Sequence, residues 1–133
     1  MKTIANSTSK EVAKYFLLFK ANEGKYTNGK FYSAGNTHVR RNNDVVTIEV
    51  SGKTILTATP NAITGEYDYE VDLRNSTALN RIVGIQEALD WDFSLIWHEG
   101  CCYIKPKKEG AEPKKVGRLK RLTKQQLSDI ANS

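Results

Sequence analysis

The residues of this chain best suited to metal or nucleophilic chemistry are His38, His98, Cys101 and Cys102. Structural zinc takes four ligands, commonly paired as C-x2-4-C and H-x3-5-H. Here the cysteines are adjacent and His38 lies far upstream. In a hairpin turning at Glu99-Gly100, His98 sits opposite Cys101 and Cys102 faces the other way. Only two ligands converge, so neither a metal nor another cofactor is expected. Neighbouring strand residues also point apart too sharply to form a disulfide with each other. Cys101 beside His98 is the only hint of a nucleophile with its base, and covalent catalysis needs a third, orienting group. No G-x-S-x-G elbow, phosphate loop or dinucleotide fingerprint occurs. The expectation is a protein without catalytic residues, with one cysteine acting as a small buried hydrophobe.

A second candidate is acidic. Glu66, Asp68, Glu70 and Asp72 alternate with Tyr67, Tyr69, Val71 and Leu73. On a strand the period of two puts all four carboxylates on one face at steps of about 6.5–7 Å. Three readings follow: a carboxylate pair for hydrolysis, a row of negative charge that imitates phosphates and meets a basic partner, or the charged face of an edge strand that discourages further pairing.

A third candidate is basic. The net charge is +5 at pH 7, unevenly spread. Residues 1–104 carry 11 Lys and Arg against 12 Asp and Glu, whereas residues 105–133 carry 9 against 3. Lys107, Lys108, Lys114, Lys115, Arg118, Lys120, Arg121 and Lys124 follow Lys105-Pro106, and Arg40-Arg41 could extend the same surface. Such asymmetry points to an acidic partner or to nucleic acid, or else to a solvated tail. Clustered cations without interleaved aromatics suit phosphate contacts rather than base reading.

The elements that must position these groups follow from periodicity and turn chemistry. Thr8 with Glu11 reads as a capping box, and Val12, Tyr15, Phe16 and Phe19 form the apolar face of a helix ending at Glu23-Gly24. Asn28-Gly29 reads as a tight hairpin turn joining strands near 25–26 and 31–33. Strands follow at 37–41, 45–50, 53–58 and 66–73. With a two-residue turn at Ser51-Gly52, Val50 faces Lys53 and Ile48 faces Ile55. A second helix spans about 77–89, with Leu79, Ile82, Val83, Gln86 and Leu89 on one side. The last hairpin is 93–98 with 101–105. Residues 106–121 read as a flexible basic segment. Thr123 with Gln126 caps a short helix reaching Ala131. The fold expected is α+β: a mostly antiparallel sheet of hairpins, two main helices packed on one face, and a short C-terminal helix. Residues 1–105 form the core domain and 106–133 the basic segment. No stretch approaches the ~18–20 apolar residues of a membrane span. The polar N-terminus is unlike a signal peptide, and unpaired thiols suit the cytoplasm.

Several short motifs resemble those of a loose group of small bacteriophage and prophage proteins. They are Gly35-Asn36-Thr37 leading into a strand, Ser51-Gly52-Lys53-Thr54-Ile55, Thr77-Ala78-Leu79-Asn80-Arg81-Ile82 at a helix start, and the hairpin Leu95–Ile104. The likeness covers about residues 31–104. Cys102 stands where the group would have a tryptophan, and the basic segment is an extension. The resemblance carries no catalytic residues. It implies a binding protein in the host cytoplasm that inhibits or modulates a host protein or nucleoprotein complex, as anti-CRISPR and other anti-defence inhibitors do. The alternative is a nucleic-acid-binding accessory protein using the basic segment. Nothing in the sequence fixes the oligomeric state.

Overall fold

The computed structural model describes residues 5–21, 31–73, 75–117 and 119–133, without the side chains of residues 31, 119 and 120. Helix α1 (Ser7–Ala21) opens two residues before the expected box. Asn6 Oδ1 accepts from Ser9 N–H at 2.9 Å, and Ser9 Oγ accepts from Asn6 N–H at 2.8 Å. Asn is among the strongest N-caps, and this reciprocal pair displaces Thr8/Glu11. Val12, Phe16 and Phe19 are buried as the spacing requires. The expected helix end at Glu23-Gly24, the strand at 25–26 and the Asn28-Gly29 turn lie outside the described residues.

Five strands follow: β1 (Phe31–Ala34), β2 (Thr37–Asn42), β3 (Val45–Val50), β4 (Lys53–Pro60) and β5 (Tyr67–Leu73). They pair antiparallel in sequence order. The Ser51-Gly52 turn takes φ of 50° and 80°, the doubly left-handed geometry that suits the twist of a hairpin. Val50 faces Lys53 as expected, but a bulge then shifts the register, so Ile48 faces Leu56 and not Ile55. The extra residue allows both Ile55 and Leu56 to be buried, which strict alternation forbids.

Helix α2 (Ser76–Ala88) is capped by Asn75, whose Oδ1 accepts from Ala78 N–H at 2.9 Å. The hairpin of β6 (Phe93–His98) and β7 (Cys101–Pro106) turns at Glu99-Gly100 and sets His98 opposite Cys101. Gln86, polar on the apolar side of α2, accepts from Leu95 N–H at 2.9 Å and so occupies a backbone donor of β6.

Residues 106–121 depart from the expected flexible segment. β8 (Lys114–Gly117) pairs with β7, and β9 (Leu119–Thr123) pairs with β5. The strands therefore form two sheets, β1-β2-β3-β4-β5-β9 and β6-β7-β8. β5 is interior to the larger sheet, which removes the edge-strand explanation for its carboxylates. Helix α3 (Lys124–Ala131) carries the Thr123/Gln126 capping box. It buries Leu127 and Ala131 in the same core as both sheets.

That core lies on one face of the large sheet. Val39, Val46, Ile48, Leu56, Ala58, Tyr69, Val71 and Leu73 point into it, while His38, Arg40, Thr47, Glu49, Thr57, Asp68, Glu70 and Asp72 occupy the polar outer face in exposed or half-buried positions. Tyr69, Trp91 and Phe93 bridge the sheets, with ring centroids 5.6 and 5.3 Å apart in succession. Among the described residues, no helix is long and apolar enough to cross a membrane.

Candidate functional site

The four carboxylates separate by role. Glu66 precedes β5 in the turn, where its N–H meets Thr64 Oγ1 at 3.2 Å. Asp68 accepts from Asn61 Nδ2 at 3.1 Å, which ties it to the same turn. Glu70 and Asp72 line a cleft of about 560 Å³. Lys53, Thr54 and Thr57 from β4 and Arg121 from β9 form its other polar walls. Val50, Ile55 and Leu56 supply apolar surface, and Asn75 and Ala78 bring in the start of α2. Its volume falls within the range of small-ligand pockets.

Register explains how Arg121 reaches the cleft. Thr123 faces Glu70, Leu122 faces Val71, and the ladder then slips before Leu119 meets Leu73. Arg121 sits in this irregularity with φ 53°. That left-handed backbone is unfavourable for a residue with a long side chain. The other described non-glycine residues with positive φ, Asn43, Ser51, Asp90 and Glu99, all lie in turns. Arg121 is the one such residue inside a strand.

Several of the remaining described cations are engaged individually. Lys107 pairs with Asp90 at 3.0 Å. Lys114 Nζ donates to the carbonyls of Ile130 at 3.3 Å and Ala131 at 3.5 Å, and also to Ser133 O, placing a cation at the C-terminal end of α3 where the helix dipole favours it. Lys108 and Lys115 are exposed and Lys124 is half-buried. Arg118 and the side chain of Lys120 lie outside the described residues. Arg40 pairs with Glu49 at 3.0 Å on the outer face. Arg41 does not extend the basic surface: it is buried and donates to Phe19 O at 2.6 Å, closing the end of α1.

His38 lies on the large sheet, with Nδ1 2.7 Å from Ser33 Oγ, whereas His98, Cys101 and Cys102 belong to the small one. Among the described residues no three His, Cys, Asp or Glu side chains gather as metal ligands. Cys102 is fully buried, and burial pushes its thiol up to about 12. It is thus held protonated, the opposite of an activated thiolate.

Sequence reasoning missed a cationic box. The Lys20 ammonium lies 4.7 Å from the Tyr67 ring centroid and 4.9 Å from that of Tyr69, with a hydrogen bond to the Tyr69 hydroxyl. Tyr67 in turn donates to Lys20 O at 3.1 Å. Burial lowers the Lys20 amine and raises Tyr69 to about 12, with smaller contributions from Tyr67 and Glu66. The signal was the pair of tyrosines on the core face of β5, since buried phenols seek polar partners. The box ties the end of α1 to β5.

The short motifs converge as well. Arg81 Nε donates to Thr37 Oγ1 at 2.9 Å, and Ser51 N–H donates to Asn36 O at 2.8 Å. The Gly35-Asn36-Thr37 turn, the Ser51-Gly52 turn and the start of α2 therefore meet at one end of the large sheet, beside the cleft. Comparison of the chain with family models, with curated proteins and with solved structures returned no match.

Proposed function

We propose that this chain is a small binding protein, acting by occupancy rather than turnover, that engages a host protein or nucleoprotein complex through the outer face of its six-stranded sheet. The observation that carries this reading is the cleft lined by both Glu70 and Asp72 and by Lys53 and Arg121. Charges of both signs over an apolar floor suit a polypeptide surface better than a phosphate backbone, which two carboxylates would repel. The motif resemblance to small phage proteins supports a host target and an inhibitory, anti-defence role. The test is affinity purification from a bacterial host after nuclease treatment. The reading predicts a stoichiometric protein partner that survives nuclease and is weakened by charge reversal at Glu70 or Arg121. Failure to retain any protein under these conditions would overturn it.

One observation favours nucleic acid as a second reading. The β7–β8 register places exposed Lys115 directly opposite Tyr103, an aromatic beside a cation that linear spacing hides. That reading predicts affinity falling about 0.9 log units per decade of salt for each duplex phosphate contacted, and loss of binding in a Tyr103→Ala, Lys115→Ala double variant.

A further inference from the structure

We infer that the outer face of the small sheet binds an unpaired nucleic-acid strand, with one base stacked on Tyr103 and the flanking phosphates at Lys105 and Lys115. This inference rests on the nucleic-acid reading and names the form of nucleic acid that the face takes. The two sheets differ in charge. Strands β6, β7 and β8 contain no Asp or Glu, but they carry Lys105, Lys114 and Lys115. Lys114 lies opposite the buried Ile104 and turns inward to the carbonyls of α3. Lys105 and Lys115 make no ion pair among the described residues. Glu99 stands in the hairpin turn at the end of this face, 3.6 Å from His98 Nε2. A polyanion thus meets carboxylates on the large sheet and none on the strands of the small one.

The pattern across the strands narrows the partner. Cys101, Tyr103 and Lys105 alternate along β7 with the buried Cys102 and Ile104, so the three share the outer face. The register sets Lys115 of β8 on one side of Tyr103 and Ile96 of β6 on the other, with Ser94 beside Lys105 and His98 beside Cys101. Ile96 is buried, Tyr103 half-buried and Lys115 exposed. The His98 and Tyr103 rings lie 6.1 Å apart in a T-shaped arrangement, and among the described residues no ring is stacked on Tyr103. One aromatic ring therefore has a cation beside it both along its strand and across from it. A base stacks on such a ring whatever its identity, while the phosphates of its strand take the cations. In a duplex the base faces are already stacked on one another, which leaves Tyr103 without a partner. The contacts are to base face and phosphate, so the face selects the unpaired state and not the sugar.

The test uses the full chain and fluorescence anisotropy at about 0.15 M salt. The probes are labelled oligo-deoxythymidine, oligo-uridine, a DNA duplex of the same length, and polyglutamate. Both single strands are expected to bind at least about fivefold more tightly than the duplex or polyglutamate, the gain from stacking one base. Tyr103→Ala should lose at least about fivefold in affinity for the single strands and keep the salt slope. Tyr103→Phe keeps the ring and should retain both. Lys105→Gln and Lys115→Gln should each lower the slope of log affinity against log salt by about 0.7, while Lys10→Gln, exposed on α1, leaves it unchanged. Circular dichroism checks the fold of each variant, and the exposed Lys115 keeps the test decisive if Tyr103→Ala does not fold. A duplex bound as tightly as the single strands overturns the inference and leaves the nucleic-acid reading standing. Polyglutamate bound as tightly, or Tyr103→Phe as weak as Tyr103→Ala, also overturns it. If no nucleic acid binds even at low salt, the inference and the nucleic-acid reading fall together.

Discussion

Gly84 sits in α2 where it crosses α1, and a methyl group there has nowhere to go. A Cβ at this position would lie 2.3 Å from the carbonyl oxygen of Ser9 and 2.8 Å from its carbonyl carbon. Ordinary carbon–oxygen contacts begin near ~3.3 Å, so the helices would have to part by roughly 1 Å. Gly84→Ala gains about 1 kcal/mol of intrinsic helix propensity. Overpacking costs about 1–3 kcal/mol, and the upper end applies because the obstacle is backbone, held in place by the Asn6–Ser9 cap. The net expectation is a loss of about 2 kcal/mol, a fall in Tm of roughly 6–8 °C for a domain of this size. Thermal melts by circular dichroism and urea titration would measure it. Ser9→Gly should not rescue the variant, since the clash is with the carbonyl and not the side chain. A Tm equal to or above that of the parent would refute the close approach of α1 and α2.

Further outcomes follow from other contacts. Burial raises the Cys102 thiol from 9.0 to about 12; its contribution to stability is complete below pH 9 and lost as pH rises toward 12. Cys102→Ala should flatten the decline in urea stability across that window, leaving the loss due to Tyr69, also raised to about 12, above pH 10. Thr37→Val strands the partly buried Arg81 Nε and should cost about 1–2 kcal/mol by urea titration. Arg121→Gly should raise stability by up to about 1 kcal/mol by urea titration, since the left-handed backbone no longer carries a side chain. A chain ending at residue 105 loses β8, β9 and the buried Leu127 and Ala131; it should show no cooperative urea transition.

What could be read ahead of the structure was local. Ser51-Gly52 and Glu99-Gly100 stand out because few residue pairs accept two positive φ values, and Thr123/Gln126 because a capping box is complete within four residues. The α+β class and the hairpin order followed from these punctuation marks and from the alternation in β3 and β5. The bulge at Ile55 was hidden because its advantage, burying two successive apolar side chains, exists only against a particular core. β8 and β9 were hidden for a related reason: Lys114-Lys115-Val116 and Lys120-Arg121-Leu122 show little apolar alternation, β8 meets the neighbouring β7 in an irregular register, and β9 is held by β5, distant in sequence. The site was therefore half legible. The carboxylates of Glu70 and Asp72 were visible in the sequence, but nothing local placed Arg121 across from them.

The pairing of β9 with β5 also sets the timing of folding. Glu70 and Thr123 meet across a sequence separation of about fifty residues, the kind of contact whose loop-closure cost slows folding. Until residues 119–123 have been synthesised, β5 presents an unpaired edge with Tyr67, Tyr69 and Val71 still to be enclosed. The nascent chain thus passes through an interval in which β5 is open to intermolecular pairing. Its charged outer face, with Asp68, Glu70 and Asp72 spaced along the strand, opposes self-association during that interval by like-charge repulsion. The same carboxylates that shape the cleft in the finished protein would then act earlier as a guard against aggregation on the ribosome.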